Sequence, residues 1–122
     1  MIDRYEEIAN KYDFLSTSLL SEVPKGWLNL VDEMAEKIQE EIEKSNIKTF
    51  VVMQTKEKWG VLTIYSFGAN DVIDNIILEY ERKSKTVCCG CGKPATKISL
   101  GWVCPWCDDC AEEISGNFRA IT

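Results

Sequence analysis

Histidine is absent from the 122 residues, and with it goes a large part of enzyme chemistry. Ser-His-Asp and Cys-His nucleophile pairs, imidazole acid–base work and His-bearing metal sites are excluded within this chain. Long apolar runs are missing too: no stretch approaches the roughly 20 residues that a membrane-crossing helix needs. A basic surplus is also lacking, with 14 Lys and Arg against 20 acids and a net charge of −6. What is present, 45% hydrophobic and 28% charged residues, excludes a wholly disordered or collagen-like chain. The length suits one domain. The first seven residues are acidic and mixed, unlike a signal peptide, so the expected location is the cytoplasm.

The charge is unevenly spread. Residues 1–45 carry −6, residues 46–100 carry +3 and residues 101–122 carry −3. An acidic N-terminal half repels a phosphate backbone and disfavours broad nucleic-acid binding, while a local basic patch in the middle survives.

Periodicity supplies the elements. Asp3 caps a first helix over about 3–15, with Tyr5, Ile8, Ala9 and Tyr12 as its apolar stripe. Ser16-Thr17-Ser18 breaks that pattern, and Leu19, Leu20 and Val23 read as an apolar connector. Pro24 opens a long amphipathic helix over about 25–44, with Trp27, Leu30, Val31, Met34, Ile38 and Ile42 inward. Residues 48–55 and 61–67 are β-branched and aromatic, so a hairpin is expected over about 48–67 with Lys56–Gly60 as its connection. A third helix over about 71–84 carries Val72, Ile73, Ile76, Ile77 and Tyr80, and closes on Arg82, Lys83 and Lys85, where the helix dipole favours cations. The expected fold is α+β: amphipathic helices packed on a small antiparallel sheet, with a C-terminal zinc-ribbon-like module. The expected organisation is a core over 1–86 and a zinc-knuckle module over 87–122, packed as one domain.

All six cysteines fall between 88 and 110, and in a reducing compartment such clustering points to metal ligation. Cys88 and Cys91 form a C-x2-C pair followed by Gly92, which permits the tight turn of a metal knuckle. The second half offers two overlapping pairs. Cys107 and Cys110 leave 15 residues after Cys91, a zinc-ribbon spacing, whereas Cys104 and Cys107 leave 12. Four thiolates without histidine suit one structural Zn2+ with no open position, a site that holds structure and performs no chemistry. The two remaining cysteines read as small buried residues.

Pro24-Lys25-Gly26-Trp27, Lys56-Glu57-Lys58-Trp59-Gly60-Val61-Leu62 leading into Tyr65, the C-x2-C-G run, Gly101-Trp102 and Cys107-Asp108-Asp109-Cys110-Ala111 occur in that order. This combination, over about 24–111, resembles a family of small uncharacterised proteins of bacteria and their phages. Its members carry K-E-K-[FW]-G-x-L-R-F-Y before a C-x2-C-G … G-W-x4-C-x2-[CH] tail. Thr63 stands where that motif usually has arginine, and Cys104-Pro105 falls inside the spacer and creates the rival pair. The resemblance favours Cys88, Cys91, Cys107 and Cys110 as ligands. It implies a phage or prophage setting and no particular mechanism.

Outside the cysteines, Lys56, Lys58 and Trp59 are expected together in a hairpin turn, where two ammonium groups beside an indole suit a phosphate and a base or sugar. The blander alternative is a solvated turn with Trp59 tucked onto the core. Trp102 joins these as a candidate ligand-binding residue, and Trp102 and Trp106 otherwise serve as cover for the metal module. Catalysis is not expected: Asp108 and Asp109 are poorly placed as an acid–base pair, and no Walker loop or G-x-S-x-G elbow occurs. The expected function is non-enzymatic capture and sequestration of a host component, an anionic nucleotide signal or a host protein, in the manner of an anti-defence inhibitor. The alternatives are a zinc-ribbon nucleic-acid-binding regulator and a structural or assembly protein. A homo-oligomer is compatible with all three.

Overall fold

The computed structural model describes residues 3–114 and 116–121. Asp3 caps helix α1 (Arg4–Lys11), its carboxylate accepting from the Glu6 N–H at 2.9 Å. The expected helix over 3–15 is shorter than its apolar stripe suggests. Tyr12 turns extended after Lys11, and the following turn delivers Phe14 and Leu15 into the core. Ser16 is a cap as well as a break: its hydroxyl accepts from the Leu19 N–H at 3.1 Å and starts the one-turn helix α2 (Thr17–Leu20). Asp32 fastens α1 to the next helix, receiving Arg4 and Lys11 at 2.8 and 2.7 Å and the Tyr12 hydroxyl at 3.0 Å. These partners outweigh burial and hold its carboxyl below the usual range.

Pro24 leads into a 3-10 turn (Lys25–Trp27) and helix α3 (Leu28–Lys44). Leu28, Leu30, Val31, Met34, Ala35 and Ile38 line its buried stripe. Asn46 ends the run at φ 54°, and the Ile47 N–H returns to the Ile42 carbonyl at 3.0 Å.

Strands β1 (Val51–Lys58) and β2 (Val61–Phe67) pair antiparallel, with a bulge between Val52 and Gln54. The connection is tighter than the sequence implies. Only Trp59 and Gly60 turn the chain, both left-handed at φ 55° and 81°, so Lys56, Glu57 and Lys58 belong to the strand and not to a turn. Helix α4 (Asp71–Ser84) starts on an Asn70 cap and packs on β2. It supplies acceptors to amides of that strand: Ser84 Oγ receives the Leu62 N–H at 2.8 Å and the Glu81 carboxylate receives Ile64 at 2.9 Å. An edge that would otherwise template aggregation is thereby covered.

The helices and hairpin share one apolar core, in which Trp27 and Tyr80 are the largest fully buried side chains. The remaining chain builds a second sheet, order β4-β3-β5, from β3 (Lys97–Ser99), β4 (Pro105–Trp106) and β5 (Phe118–Ala120), beside the short helix α5 (Asp108–Glu113). The architecture is α+β with two small antiparallel sheets, where one was expected. Trp27 Nε1 donates to the Val87 carbonyl at 2.9 Å and the Gly26 N–H to the Cys89 carbonyl at 2.9 Å, tying the helical body to the cysteine-rich segment.

Candidate metal centre

Two turns bring the sulfurs together. In the first, the Cys88 N–H reaches the Lys93 carbonyl at 2.8 Å and the Gly92 N–H the Cys88 carbonyl at 2.9 Å, folding 88–93 into a tight loop. The Gly90 N–H points at Cys88 Sγ, 3.4 Å away. In the second, Cys107 is the N-cap of α5, its sulfur receiving the Cys110 N–H at 3.4 Å. The short helix follows directly from that cap, so Cys107 and Cys110 sit one turn apart on one side.

Cys88, Cys91, Cys107 and Cys110 place their four sulfurs within 4.8 Å of one another, with Cys91 and Cys107 at 3.5 Å. A tetrahedral zinc with sulfurs at about 2.3 Å needs them about 3.8 Å apart, so the cluster fits one structural Zn2+. Electrostatics agree. Burial pushes the Cys88 thiol up, but backbone N–H groups of Cys107, Cys91 and Gly90 outweigh it and bring it to about 7. Burial and the neighbouring sulfurs push Cys110 up. Four sulfurs this close cannot all carry charge alone, and a divalent cation is what makes four thiolates compatible. With four protein ligands the site is closed and holds structure. Cys104, the rival ligand, lies outside the cluster.

The other candidate residues are dispersed differently from the expectation. Trp59 is 76% exposed, which overturns the alternative of an indole tucked onto the core. Trp102 is 78% exposed and donates from Nε1 to the Glu57 carboxylate at 2.9 Å, while Trp106 is half-buried. Lys56 and Lys58 alternate along β1 and share its outer face, with Lys56 Nζ 5.6 Å from the centre of the Tyr65 ring. Neither lysine has a carboxylate within 4 Å among the described residues. Lys83, Lys93 and Lys97, all within the net-positive 46–100 stretch, face Glu79, Asp109 and Asp108 at 3.0, 3.7 and 3.8 Å.

A groove of about 970 Å³ runs between the hairpin, the 21–24 connector and the cysteine-rich segment. Lys56 and Trp102 line it, but so do Glu22 and Glu57, and Leu100 and Phe118 make it largely apolar. Lys58 and Trp59 are not part of its lining. Glu57 lies within the Lys56–Leu62 motif, but nothing in the sequence marks it as the partner of Trp102. No helix among the described residues is long and apolar enough to cross a membrane. Comparison with protein-family models, with curated proteins and with solved structures gives no match, so the site stands on its own geometry.

Proposed function

We propose that this chain is a non-catalytic, zinc-stabilised binding protein that captures and sequesters a host component. The motifs from Lys56 to Leu62 and from Cys88 to Cys110 support a phage or prophage setting through the resemblance they carry. The observation that carries the binding role is the outer face of the hairpin. Val51, Tyr65 and Phe67 lie exposed along it, Lys56 and Lys58 continue it without ion-pair partners among the described residues, and Trp59 projects at its end. Nothing in the fold requires these side chains to face water, and contiguous exposed apolar surface marks interaction sites. Aromatic anchors beside two cations suit a host protein that presents apolar side chains and carboxylates.

A second reading, capture of an anionic nucleotide, is favoured by Lys56 and Lys58 beside the Trp59 indole. The groove favours it less, because Glu22 and Glu57 oppose Lys56 there. A nucleic-acid regulator is disfavoured by the net charge of −6 and by the ion pairs of Lys83, Lys93 and Lys97.

Mass spectrometry of proteins and small molecules co-purifying from host cells tests both readings. Lys56→Glu with Lys58→Glu is expected to reduce capture of either ligand by about 10-fold or more, since hydrogen bonds to charged groups contribute about 1.5–3 kcal/mol. The melting temperature should barely move, because surface changes usually cost about half a kcal/mol or less. Phe67→Ser should abolish capture of a protein and leave capture of a nucleotide intact. Unchanged capture in both folded variants would remove the hairpin from the binding role.

A further inference from the structure

The groove beside the metal module has the size of a small-molecule site, about 970 Å³ where roughly 300–1,000 Å³ is usual. Leu100, Trp102 and Ile114 expose apolar side chains along it, and the half-buried Tyr5, Trp106 and Phe118 add three more rings. Ser99 fixes the two indoles. Its hydroxyl receives Trp106 Nε1–H at 3.2 Å and the Cys104 N–H at 3.0 Å, and it donates to the Trp102 carbonyl. Trp102 Nε1–H is held by the Glu57 carboxylate at 2.9 Å, and the other Glu57 oxygen receives the Gly60 N–H at 2.6 Å. The Tyr5 hydroxyl donates to the Val23 carbonyl at 2.9 Å. These bonds occupy the edges and tips of the rings, so what the rings offer a ligand is their π faces, which attract cations.

The charges agree. Glu22 and Glu57 both line the groove, and neither has a cation within 4 Å among the described residues. Lys56 lines it too, but its Nζ stands 5.6 Å from the centre of the Tyr65 ring, and Tyr65 is not part of the lining. The Lys56 stem therefore borders the groove while its ammonium lies toward the outer face of the hairpin. Two carboxylates beside apolar walls concentrate a negative field where little water screens it.

We propose that this groove binds an alkylated ammonium group carried on an apolar body, at a site separate from the outer face of the hairpin. The ammonium rests against the indoles of Trp102 and Trp106, Glu22 and Glu57 balance its charge, and Leu100 and Ile114 cover the apolar body. A quaternary ammonium needs no hydrogen-bond acceptor, which suits walls whose polar atoms are already engaged. A guanidinium fits less well, because its fork seeks a bidentate carboxylate and both Glu57 oxygens already accept a hydrogen bond. An anion is disfavoured twice over: the donors of Tyr5, Trp102 and Trp106 are occupied, and two carboxylates repel it.

The test titrates the full zinc-loaded chain with benzyltrimethylammonium and, separately, with 4-tert-butylbenzoate, an anion of similar size and apolar content. The indole N–H resonances of the four tryptophans report the site by NMR. The cation is expected to shift the Trp102 and Trp106 signals saturably, and the anion to bind about 10-fold more weakly or not at all. Glu22→Gln, an exposed change that should leave the fold intact, is expected to weaken the cation about 3-fold. Trp102→Ala should weaken it further. Equal or tighter binding of the anion, shifts confined to Trp59, or no saturable shift with the cation would each overturn the proposal. The comparison of the two probes on the wild-type chain decides the matter even if Trp102→Ala fails to fold.

Discussion

Cys88→Ser is expected to abolish zinc binding and to unfold residues 87–121 while α3 and α4 stay folded. The Cys88 sulfur is fully buried and receives backbone N–H groups, so no neighbouring side chain can take its place. The segment it serves has little else to hold it. Its strands are three, two and three residues long and its helix six. Such a unit buries too little apolar surface to offset its own chain entropy, which is why small modules rely on a metal or disulfides. Apparent zinc affinities in four-ligand peptides are about 10–16 kcal/mol, as large as the whole stability of an ordinary domain at about 5–15 kcal/mol. Losing one ligand therefore removes the main stabilising term. Amide hydrogen exchange checks the prediction: protection should vanish over 87–121 and persist in α3 and α4. Native-like protection throughout would show that the segment folds without its metal.

Gly26→Ala should be nearly as damaging, for a steric reason alone. A methyl group at Gly26 would collide with the Cys88 carbonyl oxygen and stand 2.6 Å from the Cys89 carbonyl carbon and 2.8 Å from its oxygen. All three are backbone atoms of the zinc knuckle, pinned by the metal on one side and by the Gly26 N–H bond to Cys89 on the other. Neither side can yield without parting the helical body from the metal module. Overpacking of this kind costs about 3 kcal/mol, a fall in Tm on the order of 10 °C for a chain of this size. Lys25→Ala, one residue away and exposed, is the control and should cost about half a kcal/mol or less. Calorimetric melting of the two variants side by side gives the comparison, and equal melting temperatures would refute the close approach.

What the sequence made legible was whatever has a period or a fixed spacing. The stripe from Leu30 to Ile38 and the run from Val72 to Tyr80 lie on α3 and α4, because burial on one helical face leaves a repeat in the chain. The cysteine pairs were legible because a tetrahedral ion fixes ligand spacing. The hairpin turn was not, since left-handed turn positions usually announce themselves as Asn-Gly or Asp-Gly, and Trp59 in the first of them gives no such signal. Without that signal the pattern puts Lys56 and Lys58 in a turn, whereas they extend a strand. The early end of α1 escaped for a related reason: Tyr12, Phe14 and Leu15 are all core residues, but they reach the core from an irregular turn. The contact of Trp102 with Glu57 joins distant segments, and no local pattern encodes it.

The central claim is that one zinc ion sits on Cys88, Cys91, Cys107 and Cys110. The most direct measurement is metal content by native mass spectrometry on the wild-type chain, Cys104→Ala and Cys110→Ala. One zinc per chain is predicted for the wild type and for Cys104→Ala, whose sulfur lies outside the cluster, and none for Cys110→Ala. A fully folded, zinc-free wild-type chain, or zinc lost from Cys104→Ala and kept by Cys110→Ala, would contradict the account.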